Sequence, residues 1–174
     1  MRRLLTGAMG LGVLLAFTVK AAAQANPRGA ADMALKGKAI SIEYGRPSLR
    51  GRAVDQLLGQ LKPGDVWRLG ADQSTTLSTA IDLAFGDVTV PRGEYSLWAL
   101  READGSWTLV FNNQHGQWGT RRDPAQDLAA VPLKQSRSAK PLEILTVKLA
   151  REGVGEVVTI QWGEMNRSAN FRVR

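Results

Sequence analysis

Apolar and polar residues alternate along several short segments of the chain. Ile40, Ile42 and Tyr44 alternate with Ser41 and Glu43, which is the period-2 pattern of a half-buried strand. The same kind of pattern predicts further strands over residues 74–79, 88–90, 95–101, 107–112, 142–149, 157–162 and 169–173. Short strands broken by Gly and Asp at this spacing are typical of sandwiches and barrels. We therefore predict an all-β fold, an antiparallel β-sandwich or a jelly-roll-like barrel, with one short helix.

Turn residues predict two hairpins. Asp104-Gly105 lies between two predicted strands and suits a type I′ turn, because both residues tolerate positive φ. Pro91-Arg92-Gly93 predicts a second hairpin, between the strands at 88–90 and 95–101.

Only one segment has the pattern of a helix. Val54, Leu57, Leu58 and Leu61 fall on one face, and the turn residues that follow end the segment. We expect this helix to plug an end of the sandwich. Residues 121–126 and 135–140 are mostly polar and are predicted to be exposed loops.

The first residues have the pattern of an export signal. Arg2 and Arg3 precede an apolar run over residues 4–19, and small residues follow as Ala21-Ala22-Ala23 or Ala23-Gln24-Ala25. The run is shorter than the roughly 20 residues that span a bilayer. We predict a cleaved signal peptide over residues 1–23, a flexible leader over 24–36 and a single β-rich domain over 37–174, located in the periplasm or secreted. A retained N-terminal anchor is the alternative, and no membrane span is expected after cleavage.

Charge and cysteine content narrow the functional classes. The 174-residue chain carries a formal net charge of +7 and no Cys, so neither disulfides nor an acylated cysteine can form. Its basic residues are scattered, whereas a nucleic-acid surface clusters them with aromatic residues. No nucleic-acid partner is therefore expected, while some affinity for anionic envelope components remains open. The sequence does not fix the oligomeric state.

The sequence lacks the common catalytic motifs. A single His and no Cys exclude a zinc site of the Cys/His kind, and we find no calcium loop, phosphate loop, dinucleotide fingerprint or nucleophile elbow. We predict no cofactor and no metal, assign no catalytic residue, and favour binding over catalysis. The alternative is a hydrolase of envelope carbohydrate that uses a carboxylate pair. Its candidate acids are Glu43, Asp65, Asp72, Glu94 and Asp123.

Loops that combine Trp or Arg with small polar residues are the candidate ligand-binding segments. In Val66–Leu77 a Trp-Arg pair precedes a Gly-Ala break and an Asp/Gln/Ser/Thr cluster, which is typical of a loop held by its own polar contacts. Trp67 and Trp118 have polar or glycine neighbours, so a ring could stack on a sugar or instead anchor the loop. His115 is a general base or a donor to a ligand on a preorganised loop, or else an ordinary exposed loop residue.

Arginines near the predicted strand ends form a second group of candidates. Arg46, Arg52 and Arg68 could converge with Asp72 and Asn112 at one end of the sandwich. Such a cluster would lock loops together, or would present bidentate donors to a carboxylate, a phosphate or a sulfated sugar. The candidate ligand-binding residues are therefore Arg46, Trp67, Arg68, Asp72, Asn112, His115 and Trp118.

Several ordered motifs resemble one known family. Ser41-x-x-Tyr44-x-Arg46-Pro47-x-x-x-Gly51-Arg52 and Val66-Trp67-Arg68-x-Gly70-Ala71 resemble exported bacterial proteins grouped as domain of unknown function 2911. The resemblance runs from Ala39 to Val173 and includes Pro91-x-Gly93-x-Tyr95-Ser96-Leu97, Gln117-Trp118-Gly119 and Glu143-x-Leu145-Thr146. It implies a β-rich module with an export signal and no established reaction. Where the family commonly has Tyr-Asp, this chain has Arg122-Asp123.

These observations favour an exported β-sandwich module that binds a carbohydrate or another anionic envelope ligand without turning it over. The alternatives are the carboxylate-dependent hydrolase and a purely structural partner of an envelope assembly.

Overall fold

The computed structural model describes residues 26–174, and the predicted signal peptide over residues 1–23 lies outside this range. The described chain forms ten strands, one α-helix and one turn of 3-10 helix at Pro124–Gln126. The α-helix is α1 (Val54–Leu58). The strands are β1 (Arg28–Leu35), β2 (Lys38–Gly45), β3 (Val66–Trp67), β4 (Thr75–Thr79), β5 (Leu83–Phe85), β6 (Val88–Val90), β7 (Gly93–Arg101), β8 (Trp107–Asn112), β9 (Asp127–Glu152) and β10 (Gly155–Val173).

All strand pairs are antiparallel and join into one sheet that folds back on itself. The order is β1-β2-β4-β7-β8-β9-β10-β5-β6, with β3 paired to β7. The long strand β9 makes the connection, since residues 127–133 pair with β8 and residues 134–152 pair with β10. Across the interior, the Tyr44 hydroxyl of β2 donates to the Val147 carbonyl of β9 at 3.4 Å. The predicted all-β, sandwich-like fold with one short helix is confirmed, and the sheet stays open.

One hydrophobic core lies between the two halves of the folded sheet. Phe85 of β5 connects them, with its ring centroid 5.1 Å from that of Phe111 on β8 and 5.3 Å from that of Phe171 on β10. The central strand β7 is buried on both faces. Leu97 faces this core, while Trp98 points the other way and lies beneath the loops that follow β3 and β8.

The structure differs from the prediction of a flexible leader over residues 24–36. Arg28–Leu35 is the edge strand β1, and each of its eight residues pairs with β2. Only Ala31 and Leu35 of this strand are buried. An edge strand needs few apolar residues, because backbone hydrogen bonds along one side hold it in the sheet. The sequence of β1 therefore lacks the apolar alternation that predicts a strand.

Both predicted hairpin turns are also different in the structure. The β7–β8 connection is longer than a two-residue turn: the amide of Gly105 donates to the Glu102 carbonyl at 3.1 Å, and only Gly105 has positive φ, 82°. The strands on either side of Pro91-Arg92-Gly93 do not pair. β6 pairs with β5 at the end of the sheet, whereas β7 lies between β4 and β8, so this turn crosses between the two halves.

Residues 135–140, predicted to be a loop, belong to β9. Ser136 pairs with Asn166 of β10, and a register shift follows around Gly163. Most side chains of this segment are exposed. The two-residue alternation that marks a half-buried strand is therefore missing here.

Close contacts between backbone segments join the end of β2 to the loop after β3. A Cβ atom added to Gly45 would lie 2.1 Å from the Ala71 carbonyl oxygen, and one added to Gly70 would lie 2.8 Å from Thr75 Oγ1. The Thr75 hydroxyl donates to the Leu69 carbonyl at 2.9 Å inside the protein. Gly45 thus allows the two segments to touch at a distance that no other residue permits.

We expect Gly45→Ala to lower the free energy of unfolding by about 3 kcal/mol or more, because rigid backbone rather than a flexible side chain blocks the new methyl group. Gly86→Ala is the matched control: its φ is 60° and nothing lies within 4 Å of an added Cβ. The control variant should lose only about 1–2 kcal/mol of unfolding free energy, which is the cost of a left-handed backbone conformation for a non-glycine residue. Urea unfolding of the three chains measures the difference, and equal losses would contradict the close-contact argument.

Candidate functional site

A cleft of about 830 Å³ opens between α1, β3 and the loops that follow β2, β3 and β8. Four arginines line it, and no Asp or Glu within residues 26–174 does. The arginines come from three loops that are distant in sequence. They are Arg50, Arg52, Arg68 and Arg122.

Glu143 of β9 fixes the loop that carries Arg50 and Arg52. Its carboxylate accepts from the Ser48 hydroxyl at 2.5 Å and from the Arg50 amide at 2.6 Å, and its carbonyl accepts from the Leu49 amide at 3.0 Å. These two donors lower the pKa of Glu143, in the order Ser48 then Arg50, with a further contribution from the charge of Arg52. These contacts hold the loop even though Arg50 has a φ of 51°, in the left-handed region that non-glycine residues seldom adopt.

Arg68 is placed by the loop after β3. Its Nε donates to the Gly70 carbonyl at 3.3 Å, and its side chain passes over Gly119, where an added Cβ would lie 2.7 Å from Arg68 Cδ. The intervening residue Leu69 is buried and has a φ of 52°. Non-glycine residues rarely keep such a conformation unless the surroundings enforce it. The loop therefore holds Arg68 in one place.

Most of the positive charge in the cleft is not neutralised by the protein. Arg52 Nε donates to the Leu49 carbonyl at 2.9 Å. This hydrogen bond does not use the two terminal nitrogens of the guanidinium group. Within residues 26–174, Arg50, Arg52 and Arg68 have no carboxylate within 4.0 Å. Arg122 differs, since it forms an ion pair with Asp127. The cleft is thus a site of concentrated positive potential.

Tryptophans and leucines supply the apolar part of the cleft. Trp67 and Trp162 stack with their ring centroids 6.1 Å apart and their planes 9° apart, and Trp107 packs edge-on against Trp67. Trp67, Trp98 and Trp162 line the cleft, although each is almost fully buried. The Trp98 Nε1 donates to Ser96 Oγ at 2.8 Å, whereas Trp162 Nε1 is buried with no partner in the described chain. Leu57, Leu58 and Leu61 complete the apolar wall.

Of the predicted site residues, Trp67 and Arg68 line the cleft, and Asp72 lies at its edge. The Asp72 carboxylate accepts from both nitrogens of Asn26, which itself lines the cleft. Arg46 does not line it. Its side chain instead packs over Gly29 of β1, where an added Cβ would lie 2.5 Å from Arg46 Cδ.

Asn112 is fully buried and has a structural role. Its amide nitrogen donates to the Asp123 carbonyl at 2.8 Å and to Asp127 Oδ1 at 2.7 Å, and its oxygen accepts from the Gln114 amide at 3.0 Å. The side chain thereby fastens both ends of the loop after β8 to the sheet. Both hydrogens of its amide nitrogen are used in these contacts, so neither is available to a ligand.

His115 and Trp118 lie on the loop after β8, outside the cleft lining. His115 Nδ1 is 3.9 Å from Glu94 Oε2, and both side chains are about half exposed. Trp118 is 50% exposed and its backbone bridges to Gln73. The next residue, Gly119, lines the cleft, so Trp118 stands beside the site rather than in it.

The carboxylates proposed for a hydrolase do not meet in the cleft. The structure places none of Glu43, Asp65, Asp72, Glu94 and Asp123 in its lining. Several have other partners: Asp65 accepts from the Lys62 amide at 2.7 Å and Asp123 from the Ala125 amide at 3.0 Å. Across residues 26–174 no group of three or more His, Asp or Glu side chains is placed to hold a metal ion.

Five of the Arg and Trp residues that line the cleft are absent from the set of predicted ligand-binding residues, although Arg52 belonged to the predicted arginine cluster. They are Arg50, Arg52, Arg122, Trp98 and Trp162. The sequence did single out Arg122, because it replaces a tyrosine that is common in the family whose motifs this chain resembles. Trp98 and Trp162 alternate with apolar neighbours and look like core residues, which they also are. Nothing in a linear pattern shows that a core residue also borders a cleft.

Comparison with known proteins gives a family and nothing beyond it. A family model described as "Protein of unknown function (DUF2911)" matches residues 26–171. No curated protein and no solved structure matches the chain. In the part of the chain that the structure describes, no helix is both long and apolar enough to cross a membrane.

The anchoring of Arg50 by Glu143 predicts a pH-dependent effect of Glu143→Gln. The folded-state pKa of Glu143 is depressed. Its stabilising contribution is therefore fully present above the ordinary carboxyl range and is lost as the pH falls through the folded-state pKa. We expect Glu143→Gln to lower the Tm by a few degrees at pH 7 and by less at pH 3. Glu156→Gln, an exchange elsewhere on the sheet, is the control. Equal Tm differences at both pH values would contradict the role of the charge.

Proposed function

We propose, from the premise that this chain belongs to the DUF2911 family of proteins of unknown function, that it is an exported module that binds an anionic ligand in the arginine cleft without turning it over. The observation that carries this proposal is the convergence of four arginines on one cleft whose lining contains no carboxylate.

Electrostatics supports an anionic ligand. Like charges gathered in a concave surface repel one another, and low-dielectric walls strengthen that repulsion. Within residues 26–174, Arg50, Arg52 and Arg68 form no ion pair, and Arg52 interacts with the Glu143 carboxylate only from beyond ion-pair distance. An oxyanion would compensate their positive charge and accept paired hydrogen bonds from a guanidinium.

The apolar wall favours a ligand larger than an inorganic ion. Three leucines and three tryptophans border the space, which has a volume of about 830 Å³. A sugar ring presents C–H groups to such a wall while a carboxylate, phosphate or sulfate group on it reaches the arginines. An acidic carbohydrate would contact the arginines with its anionic group and the apolar wall with its ring.

The same lining favours binding over hydrolysis. Hydrolysis of a glycosidic bond requires two carboxyl groups a few ångströms apart, and the lining contains none. His115 also lies outside it. The proposed export, which rests on the basic and apolar pattern of residues 1–23, would bring the protein to the anionic sugars of the cell envelope.

We expect purified protein to bind an acidic carbohydrate more tightly than its neutral analogue. Thermal melts and calorimetry with glucuronate, sugar phosphates, sulfated sugars, peptidoglycan fragments and neutral hexoses measure this. Ligand at about 100 times its Kd stabilises the folded state by about 2.7 kcal/mol, which is a shift of several degrees in Tm. The absence of any shift across the acidic members would overturn the proposal.

Arg68→Ala and Arg52→Ala are each expected to weaken binding of the acidic ligand by about tenfold to a hundredfold, the range for loss of a hydrogen bond to a charged group. Arg92→Ala is the matched control, because Arg92 is exposed in the turn between β6 and β7 and lies outside the cleft. It removes the same charge and should leave the affinity within about twofold. Equal losses in all three variants would indicate a general charge effect rather than a site.

A further inference from the structure

Arg52 and Arg68 are each held through the same atom of the guanidinium group. Arg52 Nε donates to the Leu49 carbonyl at 2.9 Å, and Arg68 Nε donates to the Gly70 carbonyl at 3.3 Å. Within residues 26–174 these are the only hydrogen bonds that the two guanidinium groups donate to the protein. The terminal nitrogens Nη1 and Nη2 of both side chains therefore keep their hydrogens for a ligand in the cleft, which both residues line.

The two terminal nitrogens of an arginine form a fork that binds two oxygen atoms of one oxyanion. Because Arg52 and Arg68 are fixed by backbone carbonyls of two different loops, the cleft contains two such forks. A carboxylate has two oxygens, and one fork uses both of them. A phosphate group on a sugar has three terminal oxygens, so an acceptor is left for the second fork.

The charges around the cleft favour an anionic group with more than one negative charge. Within residues 26–174, Arg50, Arg52 and Arg68 have no carboxylate within 4.0 Å. Glu143 acts on Arg52 only from beyond that distance, and Asp72 at the cleft edge forms no ion pair with an arginine. A phosphate monoester carries a charge of about −1.5 to −2 at pH 7, which is enough to compensate two of the three arginines.

We infer that the anionic group of the ligand is a dianionic phosphate monoester on a sugar, and that the terminal nitrogens of Arg52 and Arg68 bind it. This inference rests on the proposed function, because it names the anionic group that the same cleft binds. It is narrower than that function, which a carboxylate or a sulfate would also satisfy.

The phosphate group accounts for only part of the cleft. The space has a volume of about 830 Å³, and Leu57, Leu58 and Leu61 form its apolar wall. A free phosphate ion has no apolar surface to place against these side chains, whereas a sugar ring has C–H groups. Inorganic phosphate should therefore bind more weakly than a phosphorylated sugar.

Calorimetry at pH 7.5 with four probes separates a phosphate monoester from other anions. The probes are glucose 6-phosphate, glucose 6-sulfate, glucuronate and inorganic phosphate. We expect glucose 6-phosphate to bind about tenfold more tightly than each of the other three, the effect of one more hydrogen bond to a charged group. The sulfate ester is the matched control, since it has the same ring and three terminal oxygens but a single negative charge.

The outcomes of this experiment distinguish the inference from the proposed function. Binding of glucose 6-phosphate and glucose 6-sulfate with equal affinity would overturn the inference and leave the proposed function in place. Inorganic phosphate that binds as tightly as glucose 6-phosphate would overturn the sugar as the carrier of the phosphate. A protein that binds none of the acidic sugars would overturn both the inference and the proposed function.

The affinity for glucose 6-phosphate should depend on the ionisation of the ligand. The second pKa of a phosphate monoester is about 6, so a change from pH 7.5 to pH 5.0 converts most of the dianion into the monoanion. We expect the affinity for glucose 6-phosphate to fall by about fivefold relative to that for glucose 6-sulfate. Asp72, Asp127 and Glu143 lie near the arginines, and protonation of any of them would change the affinity for both ligands. A parallel change for the two ligands would contradict the inference.

Lysine variants test whether the forks bind the phosphate. Arg52→Lys and Arg68→Lys keep the positive charge but replace the fork by a single ammonium group, so each should weaken glucose 6-phosphate binding by about tenfold. Arg92→Lys, in the exposed turn outside the cleft, is the matched control and should leave the affinity within about twofold. Unchanged affinity in both cleft variants would overturn binding by these two side chains. The Tm without ligand checks that each variant is folded, and the pH experiment on the unaltered protein tests the inference where a variant is not.

Discussion

The cleft depends on the close contact between Gly45 at the end of β2 and Ala71 in the loop after β3. The chain beyond Gly45 leads to Arg50 and Arg52, and the chain before Ala71 carries Arg68. Because the two backbones touch, arginines from distant parts of the sequence reach one space. The buried bond from the Thr75 hydroxyl to the Leu69 carbonyl holds the second segment against the sheet, and a larger residue at position 45 would separate the two segments.

The protein holds these arginines with contacts that leave their charge in place. Arg52 and Arg68 bind backbone carbonyls, and Glu143 fixes the Arg50 loop mainly through the Ser48 hydroxyl and the Arg50 amide. A purely structural cluster would be expected to place carboxylates opposite the guanidinium groups, because like charges that lie close together repel one another. Arg122 shows that contrasting arrangement, since it pairs with Asp127, which also accepts from the buried Asn112. The cleft therefore contains one structural arginine and three that form no ion pair within residues 26–174.

The sequence pattern predicted the interior of the fold better than its edges. Strands such as β2 and β8 are half-buried or fully buried, so their apolar residues show in the sequence. β1 is held mainly by its backbone ladder, and residues 135–140 of β9 are exposed on both faces, so neither produces an apolar alternation. The turn at Pro91-Arg92-Gly93 suits a hairpin locally, but the choice of strand partner depends on packing in the whole sheet.

The structure also separates the predicted site residues into those that line the cleft and those that lie elsewhere. Trp67 and Arg68 were predicted because the loop chemistry around them is local, whereas Asn112 and Arg46 have the same side-chain types as a binding site and lie elsewhere. What separates Asn112 from Arg68 is whether the protein itself completes the hydrogen bonds of the side chain. Arg46 differs by position alone, since it packs over Gly29 outside the cleft and its buried Nε has no partner in the described chain. Asn112 has both donor hydrogens engaged, while Arg68 has one backbone contact and an open cleft before it. Unfilled bonding capacity in a concave place distinguishes a binding residue from a structural one, and only the folded chain shows it.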